Sequence, residues 1–345
     1  MEHWFSEALI KWYGLNKRNL PWRETKDPYK IWLSEIILQQ TQVIQGTSYY
    51  FKFIKNYPTV KKLANSSIES VLKDWQGLGY YSRARNLHYT AGQILQNHNG
   101  VFPNSYHEIR KLKGIGDYTA AAIASFSFDL PFAVLDGNVF RVLSRVFGIK
   151  TPIDSTSGKK VFKELAQSLI DMKYPAIYNQ AIMEFGSQQC RPVNPDCANC
   201  PLVEKCWAFN HEAVKVLPIK DKKIKVKNRY LNYFVLKNKN KVAFFKREKK
   251  DIWQGLNEFY LIETNESSSF EDLLPQLIKK FKKIRLSNSS KEIKHVLSHQ
   301  LLFCRFYVIE VVNPPEGYEW IAIKDLQKLA WPRLIDNYIN TCLLN

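Results

Sequence analysis

At 345 residues the chain is long for one hydrophobic core, so two domains are expected. Hydrophobic residues make up 45% and charged residues 24%, which excludes a disordered chain; no run of 18 apolar residues exists to span a membrane, and residues 1–13 lack the basic start and apolar run of a signal peptide, so a cytoplasmic protein is expected, nucleoid-associated if bacterial. A formal net charge of +18 points to a polyanionic partner, because lysine and arginine release counterions from phosphates.

Residues 1–209 read as helical. Apolar residues recur at three- and four-residue spacing in 29–45, 66–75, 83–96, 117–126, 139–147 and 160–171, with glycine and proline between them. Residues 210–228 hold Lys215, Lys220, Lys222, Lys223, Lys225 and Lys227 and read as a solvated basic linker. The pattern then changes. Tyr230–Leu236 and Val242–Lys246 are β-rich and flank Asn238-Lys-Asn-Lys, a hairpin signal. Phe270–Lys283 predicts an amphipathic helix and Leu301–Val312 another strand, so 229–345 reads as a separate α+β domain.

Four segments carry chemistry. Trp32-Leu-Ser-Glu-Ile-Ile-Leu-Gln-Gln-Thr-Gln sets Glu35 on a helical stripe with Ile31, Trp32, Leu38 and Gln39. Burial there raises a carboxyl above its free value of about 4.3, which suits a general acid, whereas a glutamate at the edge of the stripe simply reaches water. In Leu112-Lys-Gly-Ile-Gly-Asp-Tyr-Thr, Gly114 and Gly116 permit a tight turn, and the helix starting near Tyr118 offers N–H groups to a phosphate; an ordinary helical connection needs the same glycines. Asp136, in Val134-Leu-Asp-Gly-Asn-Val, precedes a helix with Val139, Val142, Leu143, Val146 and Phe147 on its apolar face, and an aspartate so placed is most often an N-cap. Finally Cys190-x6-Cys197-x2-Cys200-x5-Cys206 gathers four thiols in one loop, enough to enclose zinc or a cubane iron–sulfur cluster; with only one short pair the spacing does not favour zinc.

Together these segments resemble the MutY glycosylases of the endonuclease III superfamily. The resemblance implies a mainly α glycosylase domain (1–209) with a helix–hairpin–helix at about 106–125 and a loop at 190–206 that holds one [4Fe–4S] cluster on Cys190, Cys197, Cys200 and Cys206. It implies Glu35 as the acid that protonates the leaving adenine at N7, Asp136 as the anion beside the sugar, and Tyr118 and Asn138 as residues that orient the carboxylates and water. Bifunctional relatives carry lysine where Tyr118 stands, so no Schiff base is expected and the enzyme is expected to be monofunctional. Arg18, Trp22 and Arg23 in Arg-Asn-Leu-Pro-Trp-Arg, with Gln180, match positions near the adenine pocket. Gln40, Thr41 and Tyr80 match positions that wedge into the duplex. Core packing is the alternative for Trp22 and Tyr80. Gly114 and Gly116 match the DNA-binding hairpin, and Arg191 and Lys205 sit well for the DNA grip implied for the cysteine loop, ordinary surface charge being the alternative.

The tail is similar to the Nudix-like domain of MutY proteins. Ile252-Trp-Gln-Gly-Leu-Asn-Glu-Phe-Tyr resembles the Gly-Leu-Trp-Glu-Phe-Pro run, with Asn257 and Tyr260 departing from it; His295-Val-Leu-Ser-His resembles the Phe-Ser-His loop, with Leu297 departing. Ser298 and His299 are thereby implied in recognising 8-oxoguanine, an ordinary polar loop being the alternative. Residues 262–283 lack the Arg-Glu…Glu-Glu helix that binds magnesium, so pyrophosphatase activity is not expected. The implied function is hydrolytic removal of adenine opposite 8-oxoguanine or guanine in double-stranded DNA by a monomer with no membrane association. An endonuclease III-type pyrimidine glycosylase and a non-catalytic iron–sulfur DNA-binding protein are the alternatives.

Overall fold

Apolar side chains repeating every three or four residues drive the first part of the chain into helices whose stripes share a core. The computed structural model describes residues 3–221, 226–312 and 317–344. The helices are α1 (His3–Asn16), α2 (Pro28–Leu38), α3 (Val43–Asn56), α4 (Val60–Ala64), α5 (Ile68–Trp75) and α6 (Ser82–Asn97). They continue with α7 (Tyr106–Lys111), α8 (Asp117–Phe128), α9 (Gly137–Phe147), α10 (Thr156–Leu169), α11 (Pro175–Gln188) and α12 (Trp207–Asn210). The periodic stretch 29–45 is not one helix. Gln40 takes a left-handed φ of 53° and Gln42 caps α3, because the polar run Gln39-Gln40-Thr41-Gln42 offers no apolar face to continue.

The connection between α7 and α8 has the expected glycine turn, but its two glycines differ. Gly114 has φ +79°, and a Cβ there would lie 2.8 Å from Cβ of Asn86, so no other residue fits. Gly116 caps α8 in extended backbone with open space around it, so its conformation does not demand glycine.

The second half forms a mixed sheet. Its strands are β1 (Lys227–Asn238), β2 (Lys241–Lys246), β3 (Asn257–Glu258), β4 (Tyr260–Thr264), β5 (Ile284–Ser289), β6 (Ile293–Val296), β7 (Gln300–Val311) and β8 (Glu319–Ala322). The order is β3-β2-β1-β7-β5, with β4 on β1, β6 on β7 and β8 on β2. Strands β1 and β7 run parallel, and the other pairs are antiparallel. β1 is apolar on both faces because both are covered. Leu231, Tyr233 and Val235 meet Trp331 and the helix α14 (Arg333–Tyr338), while Phe234 and Leu236 meet Leu273, Leu277 and Phe281 of α13 (Phe270–Phe281).

The chain divides into two compact units, Met1–Asn65 with Asn86–Lys222, and Ser66–Arg85 with Lys223–Asn345. The periodic segments 66–75 and 83–96 supply α5 and α6, separated by a non-helical turn at 76–81, yet 66–85 folds with the sheet. Its buried Val71, Leu72 and Trp75 lie in that unit, Lys73 Nζ donates to the Leu329 carbonyl (3.0 Å), and the Tyr81 hydroxyl donates to the Trp331 carbonyl (3.4 Å). The basic stretch 210–228 begins by packing on the helices. Leu217 is buried, Arg145 Nε donates to its carbonyl (3.1 Å), and the Ile153 N–H donates to the Ile219 carbonyl (3.0 Å). Lys222, Lys223 and Lys225 lie outside the described residues, and β1 already starts at Lys227. Among the described residues no helix is long and apolar enough to cross a membrane.

Candidate active site

Helices α2, α8, α9 and α11 surround a cavity of about 310 Å³ in the helical unit. Nine residues singled out from sequence line it: Arg18, Trp22, Arg23, Glu35, Thr41, Tyr118, Asp136, Asn138 and Gln180. Glu35 shares its face of α2 with the buried Ile31 and Trp32 and is itself only 7% exposed. Burial pushes its pKa up to about 7; the neighbouring Asp136 adds to the rise, while the Tyr118 hydroxyl and Arg23 oppose it.

Asp136 is the N-cap of α9, and that is also what places it in the cavity. One carboxylate oxygen accepts from the backbone N–H groups of Asn138 (2.9 Å) and Val139 (2.8 Å), and the other accepts from Asn138 Nδ2 (2.8 Å). Burial pushes its pKa up as well, against those three donors. They and the positive end of α9 favour its charged form. Two carboxyls beside each other cannot both ionise easily, and of the two it is Asp136 that has the donors favouring the charged form. Tyr118, in the first turn of α8, directs its hydroxyl to Met183 Sδ (3.8 Å), and burial keeps it a neutral phenol.

Trp22 is buried edge-on against Tyr50 (centroids 5.4 Å apart), so core packing and cavity lining coincide in one side chain. Gln180 accepts from the Tyr13 hydroxyl (2.7 Å). Gln40 is exposed at the left-handed junction between α2 and α3 and does not line the cavity.

The four clustered cysteines follow α11 in a series of tight turns, each partly buried and none in a disulfide. Arg145 Nη1 donates to Cys190 Sγ (3.4 Å), and Cys206 Sγ donates to the Arg145 carbonyl (3.5 Å). The backbone N–H of Leu202 faces Cys200, and those of Phe209 and Ala208 face Cys206. Burial, with the charges of the other three sulfurs, pushes the Cys200 thiol up to about 12. As the side chains stand, no three Cys, His, Asp or Glu among the described residues converge on a single ion.

Tyr80, Ser298 and His299 lie in the other unit, around a cavity of about 420 Å³. Tyr80 is 44% exposed at a left-handed φ of 47°, and its hydroxyl is hydrogen-bonded to that of Ser298. Ser298 occupies the tip of the β6–β7 hairpin, closed by a bond from the Leu297 N–H to the Gln300 carbonyl (2.8 Å). Ile252, Trp253 and Leu297 supply apolar wall.

A family model of the HhH-GPD superfamily of base excision DNA repair proteins matches residues 33–170, and a NUDIX domain model matches 232–341. The adenine DNA glycosylase of Buchnera aphidicola subsp. Baizongia pistaciae (strain Bp) is 39% identical over 302 residues, covering 87% of this chain and 84% of that protein. The chain belongs to the adenine DNA glycosylase family. The adenine DNA glycosylase of Buchnera aphidicola subsp. Schizaphis graminum (strain Sg) is 36% identical over 348 residues and is covered to 97%, as is this chain. Among solved structures, a thermostable thymine-DNA glycosylase is similar to 60% of this chain and 95% of its own, at 28% identity and a TM-score of 0.57. The protein is thus a DNA glycosylase with a helical HhH-GPD fold followed by a Nudix-like domain built on a mixed sheet.

One residue of this family member's cavity escaped the sequence reading. Glu184 has a fully buried side chain that accepts from the Arg18 backbone N–H (3.0 Å), from Arg18 Nε (2.7 Å) and Nη2 (2.8 Å), and from Arg23 Nη2 (2.6 Å) and Gln188 Nε2 (2.6 Å). Burial alone would raise its pKa, but the two guanidinium groups outweigh it and hold the carboxyl at about 2. Glu184 therefore fixes where Arg18 and Arg23 stand. A charged residue set among the apolar Ile182, Met183 and Phe185 of α11 is the signal that could have found it.

Proposed function

We propose that this protein removes adenine mispaired with 8-oxoguanine or guanine in double-stranded DNA by hydrolysing the N-glycosidic bond, leaving an abasic site. What supports this reading is a carboxyl pair in one cavity: Glu35, which burial pushes up to about 7, and Asp136, whose carboxylate accepts from three donors at the N-terminus of α9. The target nucleotide leaves the stack and enters the 310 Å³ cavity. Glu35 passes its proton to N7 of adenine, the C1′–N9 bond breaks with its electron pair going to the base, and Asp136 faces the resulting sugar cation. Water then adds to C1′ and gives its proton to the Glu35 carboxylate, which restores the acid, with Asn138 and Tyr118 holding the two carboxyls in place. Tyr118 has no amine to form an imine with the sugar. The product strand should therefore stay intact until alkali is added, and borohydride should trap no covalent adduct; a spontaneously nicked strand or a trapped adduct speaks for a lyase instead.

The four cysteines fit a [4Fe–4S] cluster. Cys190, Cys197, Cys200 and Cys206 provide four thiolates in one loop, and Arg145 with the backbone N–H groups of Leu202, Ala208 and Phe209 provides donors to stabilise their negative charge. When bound, the cluster cross-links the loop after α11 and supplies the positive charge that lets buried thiols ionise. Protein purified without oxygen should be brown, with broad absorbance at about 400 nm, and Cys197→Ser should lose colour and iron together. Colourless protein carrying one equivalent of zinc refutes the cluster.

The opposite base is assigned to the cavity that holds Ser298. 8-Oxoguanine carries an N7–H donor that guanine lacks, and a serine hydroxyl held by Tyr80 retains a lone pair to accept it. Loss of such a bond at a desolvated site costs about 1–3 kcal/mol. Changing Ser298 and His299 together to alanine should reduce the preference for 8-oxoG:A over G:A about tenfold, with the rate on bound G:A unchanged. An unaltered ratio moves the recognition to Tyr80 and its neighbours.

A further inference from the structure

Arg229 is hydrogen-bonded to two of the residues that line this second cavity. Arg229, at the start of β1, is only 6% exposed, and all five of its N–H donors are used. Nη1 and Nη2 donate to the two oxygens of Asp251 (3.1 and 2.7 Å), Nε and Nη2 to those of Glu263 (2.6 and 2.8 Å), and Nη1 also to Gln300 Oε1 (3.0 Å). Two of these partners belong to separate loops that wall the cavity. Asp251 opens the turn that carries Ile252 and Trp253, and Gln300 closes the hairpin tip that carries Ser298 and His299.

Both loops need an external frame. Trp253 takes a left-handed φ of 64°, which a bulky side chain holds only where its surroundings impose it. A second arginine helps to impose it. Arg247 donates to Asp251 Oδ2 (3.0 Å), to the Ile252 carbonyl (2.9 Å) and to Glu258 Oε2 (2.6 Å). The hairpin tip is held by its own Leu297–Gln300 closure, by a bond from the Lys227 N–H to the His299 carbonyl (3.0 Å), by the Tyr80 hydroxyl at Ser298 and by the Gln300 tie to Arg229, of which the last alone joins it to the 251–255 turn through one side chain. One planar guanidinium is thus the common reference for the two walls. Lysine, with three donors on a flexible stem, keeps the charge but cannot hold that geometry.

We propose that Arg229 is a positioning residue for opposite-base discrimination, joining the 251–255 turn to the 297–300 tip so that Ser298 is held against the base. This rests on the assignment of Ser298 as reader, made above. The test measures the ratio of single-turnover rates on 8-oxoG:A and G:A duplexes for Arg229→Lys, Glu263→Gln, Ser298→Ala and the Arg229→Lys/Ser298→Ala double variant of the full-length protein. Arg229→Lys should lower the ratio three- to tenfold, and in the Ser298→Ala background it should lower it no further. Glu263→Gln disturbs the same ion network without touching either loop tie, and should leave the ratio as in wild type. If Arg229→Lys does not fold, Gln300→Met cuts the hairpin tie alone and should lower the ratio in the same way. Equal slowing on both duplexes by Arg229→Lys and Glu263→Gln, or an additive double variant, overturns the proposal while leaving Ser298 as reader. An unchanged ratio in Ser298→Ala removes both.

Discussion

Replacing Glu35 by glutamine should slow adenine release in single-turnover assays by about 10²–10⁴-fold while leaving the affinity for mispaired DNA near that of wild type. The amide matches the carboxyl in shape and sits in the same buried position on α2, but it has no proton to give to N7. Asp136→Asn should cost a similar amount, about 10²–10³-fold. Asparagine also caps helices well, so α9 and the fold are preserved while the negative charge beside the sugar is lost. Retention of wild-type rates by either variant contradicts its catalytic assignment.

The second large effect is on pH dependence. Glu35 acts as an acid, so the excision rate should fall about tenfold for each unit above pH 7. A lower limb should appear as Asp136 takes up a proton, at a pH above the ordinary aspartate range, because burial raises that group too. The same ionisation acts on stability. The folded pKa of Glu35, about 7, lies above its unfolded value of 4.5, so its contribution is fully present below pH 4.5 and is lost as pH rises through 7. The loss is on the order of 3 kcal/mol, at 1.36 kcal/mol per unit. Glu35→Gln should therefore melt roughly 5 °C or more above wild type at pH 8 and close to it at pH 5. An equal difference at both pH values means that Glu35 does not sit protonated in the folded cavity.

The helical cavity was legible because its residues stand in short, dense motifs, and one physical cause places each. The apolar stripe of α2 buries Glu35, and the N-cap of α9 fixes Asp136. Two features were not legible. Glu184 draws its meaning from Arg18 and Arg23, more than 160 positions away in the chain, and nothing local marks such a pairing. The segment 66–75 has correct helical periodicity, but periodicity says that a face is buried and not which core buries it. The placement of 66–85 with the sheet is what brings the Tyr80 hydroxyl to Ser298. The break at Gln40 shows the same limit on a smaller scale: apolar spacing ran on through a polar junction where the backbone turns left-handed.

The most direct test incubates the full-length protein with duplexes containing 8-oxoG:A, G:A, 8-oxoG:C and oxidised pyrimidines, followed by alkaline cleavage of abasic sites. Excision of adenine from 8-oxoG:A, with slower excision from G:A and none from 8-oxoG:C or the oxidised pyrimidines, is the expected result. Excision of an oxidised pyrimidine with adenine left in place would contradict the assignment of this cavity to adenine.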